Sequence, residues 1–235
     1  MSTIDLDSNQ SIKVDFPQDA RAVVVAFGSR HAYKDTIPFE WTRTLESLPV
    51  AKIYVRDVYQ IWYLKGLPGI ADSPRGVSDY LCRLIDQQDI QRIVTIGGSM
   101  GGYAALLFGC LMGADEAHAF AGQSFLPTRR GRLLPKAIWK RKWPVLRKHW
   151  ELISDRTLDR TYFDLKPLLR ESGERTLYHV YYSTENQKDV IHAQHLSDLD
   201  NVQLHIRSDS GHFVARGMKK SGELDRVLRR ATGLD

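Results

Sequence analysis

Only two cysteines occur in the 235 residues, Cys82 and Cys110. They lie far apart, stand beside leucines and lack C-x-x-C spacing. That leaves no disulfide framework and no thiolate metal site, and both read as reduced core residues. No run of about 18 apolar residues is present, so no membrane-spanning helix is expected. The opening stretch, MSTIDLDSNQSIKVDF, is acidic and polar and lacks the basic start and apolar run of a secretory signal. A cytoplasmic location is the expectation. No fixed-period repeat and no low-complexity tract interrupts the chain.

What remains is ordinary for a globular protein: 43% hydrophobic and 26% charged residues, enough to bury a substantial core. The formal charge of +5 is unevenly spread. Residues 128–150, TRRGRLLPKAIWKRKWPVLRKHW, carry nine Lys or Arg and no acid, which leaves the remainder at −4.

Short apolar runs alternate with longer amphipathic ones. AVVVAF (22–27), KIYVRD (52–57), RIVTIG (92–97), EAHAFAG (116–122), TLYHVYYS (176–183) and VQLHIRS (202–208) read as strands. GVSDYLCRLIDQQ (76–88) spaces Val77, Leu81, Leu84 and Ile85 along one helical face. GGYAALLFGCLMGA (101–114) is apolar nearly all round and predicts a buried helix, and residues 214–231 predict one closing surface helix. The alternation argues for an α/β fold, a mostly parallel central sheet flanked by helices. In such sheets chemistry gathers beyond the carboxyl ends of the strands.

Just there, Gly97-Gly98-Ser99-Met100-Gly101 matches G-x-S-x-G, with a strand before it and a helix after it. A sharp strand-to-helix turn leaves no room for side chains at 97 and 101 and projects the Ser99 hydroxyl from the sheet. Met100 opens the helix, so its N–H can donate to a developing oxyanion. The competing role for Ser99 is a helix N-cap. A nucleophilic serine needs a base, and His212 in SDSGHF follows the last predicted strand. The competing role for His212 is a surface-loop residue. An orienting carboxylate is expected after TLYHVYYS. Asp189 is favoured over the alternative, Glu185; otherwise Asp189 caps the helix VIHAQHL. The loop AFGSRHAY is expected to supply a second oxyanion donor, the N–H of Ser29 or of Gly28.

GGSMGG, FGS and SGH, in that order along the chain, resemble the α/β-hydrolase superfamily over roughly residues 20–230. VRDVYQIWYLKGLPGI, GGSMGGYAALLFG and HAFAGQSFL look more narrowly like small bacterial serine-hydrolase-like proteins associated with surface-polysaccharide and glycosyltransferase loci. The resemblance implies a Ser–His–acid site and acyl-ester chemistry, including an acylated sugar as substrate. It also admits acyltransferases, thioesterases and non-catalytic partner proteins that keep the fold. The acid loop departs from the pattern by lacking the usual glycine-plus-aspartate signature.

Further expectations attach to this frame. Arg56 and Asp57 pair to fix the loop after the second core strand. Trp62 and Tyr63 on that loop line a substrate pocket, unless they pack against the sheet edge. Gln123 and Phe125 face the same cavity. The chain forms a single domain with a helical lid at 124–170, in which Trp139, Trp143 and Trp150 share one face. That basic lid is a solvated helix, an anionic-substrate reader or a contact for an anionic membrane. Nucleic acid ranks last. No cofactor is required, and no His/Asp/Cys cluster has metal-ligand spacing in the sequence.

Overall fold

The computed structural model describes residues 10–31, 36–126, 151–208 and 211–234. The basic stretch 128–150, with its three tryptophans, lies outside the described residues. Six strands run parallel: β2 (Ala22–Phe27), β3 (Ala51–Val55), β4 (Arg92–Gly98), β5 (Glu116–Phe120), β6 (Leu177–Ser183) and β7 (Val202–Arg207). A seventh, β1 (Ile12–Asp15), pairs antiparallel with β3 at one edge. The sheet order is β1-β3-β2-β4-β5-β6-β7, so β2 and β4 form the centre. β2 is buried throughout because both its faces are covered. Val23, Val25 and Phe27 enter one core layer, and Ala22, Val24 and Ala26 the other.

Helix α2 (Pro74–Asp86) starts where Ser73 Oγ accepts the Gly76 N–H (3.2 Å) and Pro74 presets the first turn. It buries Val77, Leu81 and Ile85. Helix α3 (Met100–Met112) is buried from Met100 to Gly109 and stacks Phe108 on Phe27 of β2 (4.9 Å between centroids). Helix α4 (Leu165–Ser172) is capped by the Asp164 carboxylate, which accepts the Lys166 N–H (3.0 Å), and it buries Leu165 and Leu169. Helix α5 (Gln187–His195) joins the same layer through Ala193. On the other face lie α1 (Thr42–Leu45), α6 (Val214–Lys220) and α7 (Glu223–Thr232). They bury Leu45, Val214, Met218, Leu224 and Leu228.

One closing helix was expected over 214–231. The structure divides it into α6 and α7 at Gly222, whose φ of 73° interrupts the helix. Cys82 and Cys110 are free thiols, half-buried beside the core. No helix among the described residues is long and apolar enough to cross a membrane.

Candidate active site

β4 ends at Gly98 and α3 begins at Met100, so Ser99 alone makes the turn. Its φ of 54° and ψ of −116° leave the ordinary regions for an L-residue, at a cost on the order of 1–3 kcal/mol. The surroundings hold it there. The Ser99 N–H donates to Phe120 O (2.9 Å), and the Tyr103 N–H donates to Ser99 O (3.1 Å). A Cβ on Gly97 would run into the Gly101 carbonyl, and one on Gly101 into the Phe27 carbonyl. Glycine at both positions therefore lets strand, turn and helix touch backbone to backbone. The Ser99 hydroxyl makes no capping hydrogen bond. It lies instead 3.1 Å from His212 Nε2.

His212 stands on the turn between β7 and α6, 113 residues beyond the serine. Its Nδ1 is 3.0 Å from both carboxylate oxygens of Asp189. Asp189 sits in the first turn of α5 with its side chain only 4% exposed, whereas the His212 side chain is 36% exposed. The capping role weighed for Asp189 belongs to Asn186, whose Oδ1 accepts the Lys188 N–H (3.1 Å). Glu185 is exposed, and its Oε2 accepts the Gly211 N–H (3.3 Å), so it braces the loop that carries His212. The structure thus brings Ser99, His212 and Asp189 into one chain of contacts.

Met100 is the first residue of α3, so its N–H has no carbonyl partner within the helix. The second donor site resolves differently from the expectation for Gly28. That N–H extends the β2–β3 ladder by donating to Val55 O (2.8 Å) and is not free. The Ser29 N–H donates to Glu40 Oε2 (2.8 Å), while Glu40 Oε1 meets Ser29 Oγ (2.7 Å) and His31 Nε2 (2.7 Å). A carboxylate oxygen therefore already occupies the amide assigned to an oxyanion. Glu40 carries no signal in the sequence, because its contact depends on a loop whose local composition is unremarkable.

The aromatic loop also departs from expectation. Tyr63 is fully buried against Phe27 and Phe108 and does not line a pocket. Its hydroxyl donates to Gly28 O (2.9 Å) and Val55 O (3.2 Å). Trp62 is 3% exposed, and its indole N–H donates to Gln123 Oε1 (2.7 Å), so these two meet each other. Phe125 is 3% exposed and packs on His192 (4.3 Å between centroids), which fastens the segment after β5 to α5. Burial holds His192 at about 4, so its Nδ1 keeps a lone pair to accept the Ser124 N–H (3.3 Å). Large apolar rings near a strand end satisfy burial first, which is why Tyr63 and Phe125 belong to the core.

The expected Arg56–Asp57 pair is replaced by backbone contacts. Arg56 Nε donates to Gln10 O (2.8 Å), and its guanidinium lies over the Phe39 ring (4.4 Å). Asp57 Oδ2 accepts the N–H groups of Ile61 (2.6 Å) and Tyr63 (2.8 Å). Burial pushes the Asp57 carboxyl up to about 6, against the opposing pull of these backbone donors.

No family model and no curated protein matches this chain. Solved structures do share its fold. MenH from S. aureus is 14% identical, with a TM-score of 0.58 over 94% of this chain and 97% of its own. Naproxen esterase (carboxylesterase NP) from Bacillus subtilis is 14% identical, with a TM-score of 0.60 over 97% and 90%. The capsule O-acetyltransferase of Neisseria meningitidis serogroup A is 12% identical, with a TM-score of 0.61 over 97% and 94%. At these identities the likeness establishes the fold, which is that of the α/β-hydrolases.

Proposed function

We propose that this protein is a serine-dependent enzyme that cleaves an acyl ester. The observation that carries the reading is the contact chain Ser99 Oγ–His212 Nε2–Asp189, at 3.1 and 3.0 Å. His212 takes the Ser99 proton as Oγ bonds to the carbonyl carbon, and the carbonyl oxygen becomes the oxyanion. The Met100 N–H, at the start of α3, faces that charge. The Ser29 N–H is the second donor once the substrate oxygen replaces Glu40 on it. Collapse of the tetrahedral adduct breaks the carbon–oxygen bond to the alcohol, which leaves with the proton from His212. Water then attacks the acyl-serine with His212 again as base, freeing the acid and restoring Ser99. Asp189 holds the imidazole in the tautomer that presents a lone pair at Nε2.

A sugar ester is the substrate class we favour. It is supported by the sequence resemblance to proteins of polysaccharide loci and by fold likeness to a structure described as a capsule O-acetyltransferase. That likeness also favours a second reading, in which a sugar hydroxyl replaces water in the second half-reaction. The test is labelling with a serine-directed fluorophosphonate, followed by turnover on short-chain, long-chain, sugar-acetate and thioester substrates with and without an alcohol acceptor. Labelling that vanishes in Ser99→Ala is the expected result. Absence of labelling in the folded wild-type chain overturns the enzyme reading and leaves a binding protein. An acceptor-dependent ester product selects transfer over hydrolysis.

A further inference from the structure

At the end of the sheet opposite Ser99, three parallel strands bring histidines together. Glu116 opens β5 and His118 follows two residues later, so both project from the same face. His179 of β6 stands in register with His118, and the two rings stack at 4.5 Å and 10°. Glu116 Oε2 lies 2.9 Å from His118 Nε2 and 3.4 Å from His179 Nε2. One potential ligand atom from each of the three residues falls within 4.8 Å of the others. The sequence shows no such set, because two ligands sit on one strand and the third lies 61 residues on.

Two features distinguish this group from an ordinary buried ion pair. The first is His179 Nε2, which is buried and satisfies no hydrogen bond among the described residues. The second is the outer shell. His118 Nδ1 lies 3.3 Å from Tyr181 Oη, and His179 Nδ1 lies 3.0 Å from His205 Nε2. Each Nδ1 therefore has a polar partner able to accept an Nδ1–H once a cation displaces the Nε2 proton and takes the Nε2 lone pair. Ligating histidines are characteristically oriented by such a second bond. The remaining carboxylate oxygen, Glu116 Oε1, is held by Arg92 (2.5 Å), which fixes the carboxylate and leaves Oε2 facing the rings.

We propose that Glu116, His118 and His179 form a binding site for a borderline divalent cation of the zinc class. Two imidazoles and one carboxylate suit such an ion and do not suit magnesium or calcium, which require mostly oxygen. Metal–ligand bonds of about 2.0–2.2 Å in a tetrahedral arrangement set neighbouring ligand atoms roughly 3.4 Å apart. The observed 3.4 Å matches that spacing, and the 2.9 Å contact would open by about 0.5 Å to admit the ion. The site leaves a coordination position open and clamps β5 to β6 at their amino ends. It is independent of the esterase reading, since it shares no residue with Ser99, His212 or Asp189.

The test is equilibrium dialysis of the chelator-treated full chain against zinc chloride, with Tm measured in parallel. One zinc per chain is expected, with a rise in Tm of about 5 °C at a hundredfold excess over Kd. Glu116→Gln and His179→Gln should each lose that equivalent, whereas Ser99→Ala and His212→Ala should retain it. Magnesium chloride should give neither binding nor a shift. Cobalt on the wild-type chain supplies a readout that needs no variant: visible bands of a four- or five-coordinate ion with nitrogen ligands. The absence of a stoichiometric zinc, or its undiminished retention in both folded cluster variants, overturns the proposal. If the variants do not fold, the lack of cobalt bands in the wild type overturns it.

Discussion

Ser99 and the loop Gln60–Tyr63 share an uncommon property and use it in opposite ways. Both place non-glycine residues at positive φ: 54° at Ser99, and 55°, 58° and 61° at Gln60, Trp62 and Tyr63. At Ser99 the backbone is forced so that a hydroxyl faces outward to meet an imidazole. At 60–63 the backbone is forced so that two aromatic rings face inward, and the buried Asp57 carboxylate collects the amides that result. The two regions meet at one peptide. The Tyr63 hydroxyl holds the Gly28 carbonyl, and that carbonyl shares a rigid plane with the Ser29 N–H. On the proposed mechanism, strain at the first region would serve the reaction directly, and strain at the second would serve it by fixing the plane of a donor.

If that division is right, substitutions should sort accordingly. The largest effect belongs to the contact chain: His212→Ala should lower kcat by about three orders of magnitude or more, with Asp189→Asn comparable. A loss of less than tenfold in both would remove the imidazole from the mechanism. Tyr63→Phe comes next. It keeps the ring and deletes the hydroxyl that orients the Gly28–Ser29 peptide, so kcat should fall on the order of tenfold with little change in KM. A change confined to Tm, with kcat untouched, would return Tyr63 to a purely structural role.

Asp57 offers a test in stability instead of rate. Its folded value of about 6 lies above the ordinary carboxylate value, so the folded chain binds that proton more tightly than the unfolded one. Its contribution to stability is whole below about pH 4 and is lost as pH rises through 6, a difference on the order of 3 kcal/mol. Asp57→Asn removes that titration. The difference in Tm between wild type and variant should therefore change between pH 4 and 7 and be flat above it. A difference that does not vary with pH would refute the assignment. The smallest effect is expected from Glu185→Gln, whose exposed carboxylate only braces Gly211: kcat should stay within about twofold.

The sequence revealed what is local. The strand-turn-helix around Ser99 could be read because glycine spacing and apolar periodicity are properties of neighbouring residues. All six expected strands appear with boundaries shifted by at most two residues, while β1 went unseen because IKVD is short, half-polar and defined only by its pairing with β3. The placement of His212 followed from strand order. Choosing between Asp189 and Glu185 required knowing which carboxylate α5 turns inward, a matter of helix phase in space. Tyr63, Glu40 and the Glu116–His118–His179 group depend on contacts between segments distant in sequence, where pattern carries nothing. The aromatic loop misled because an aromatic beside a reactive strand end looks the same in sequence whether it meets a substrate or the core.

The missing side chain at Gly101 has one more effect. The backbone of α3 at Gly101 rests directly on the Phe27 and Gly28 carbonyls at the end of β2, with no side chain between them whose rotamer could alter that contact. On the proposed mechanism, the oxyanion donors would thereby keep their footing whatever surface surrounds them.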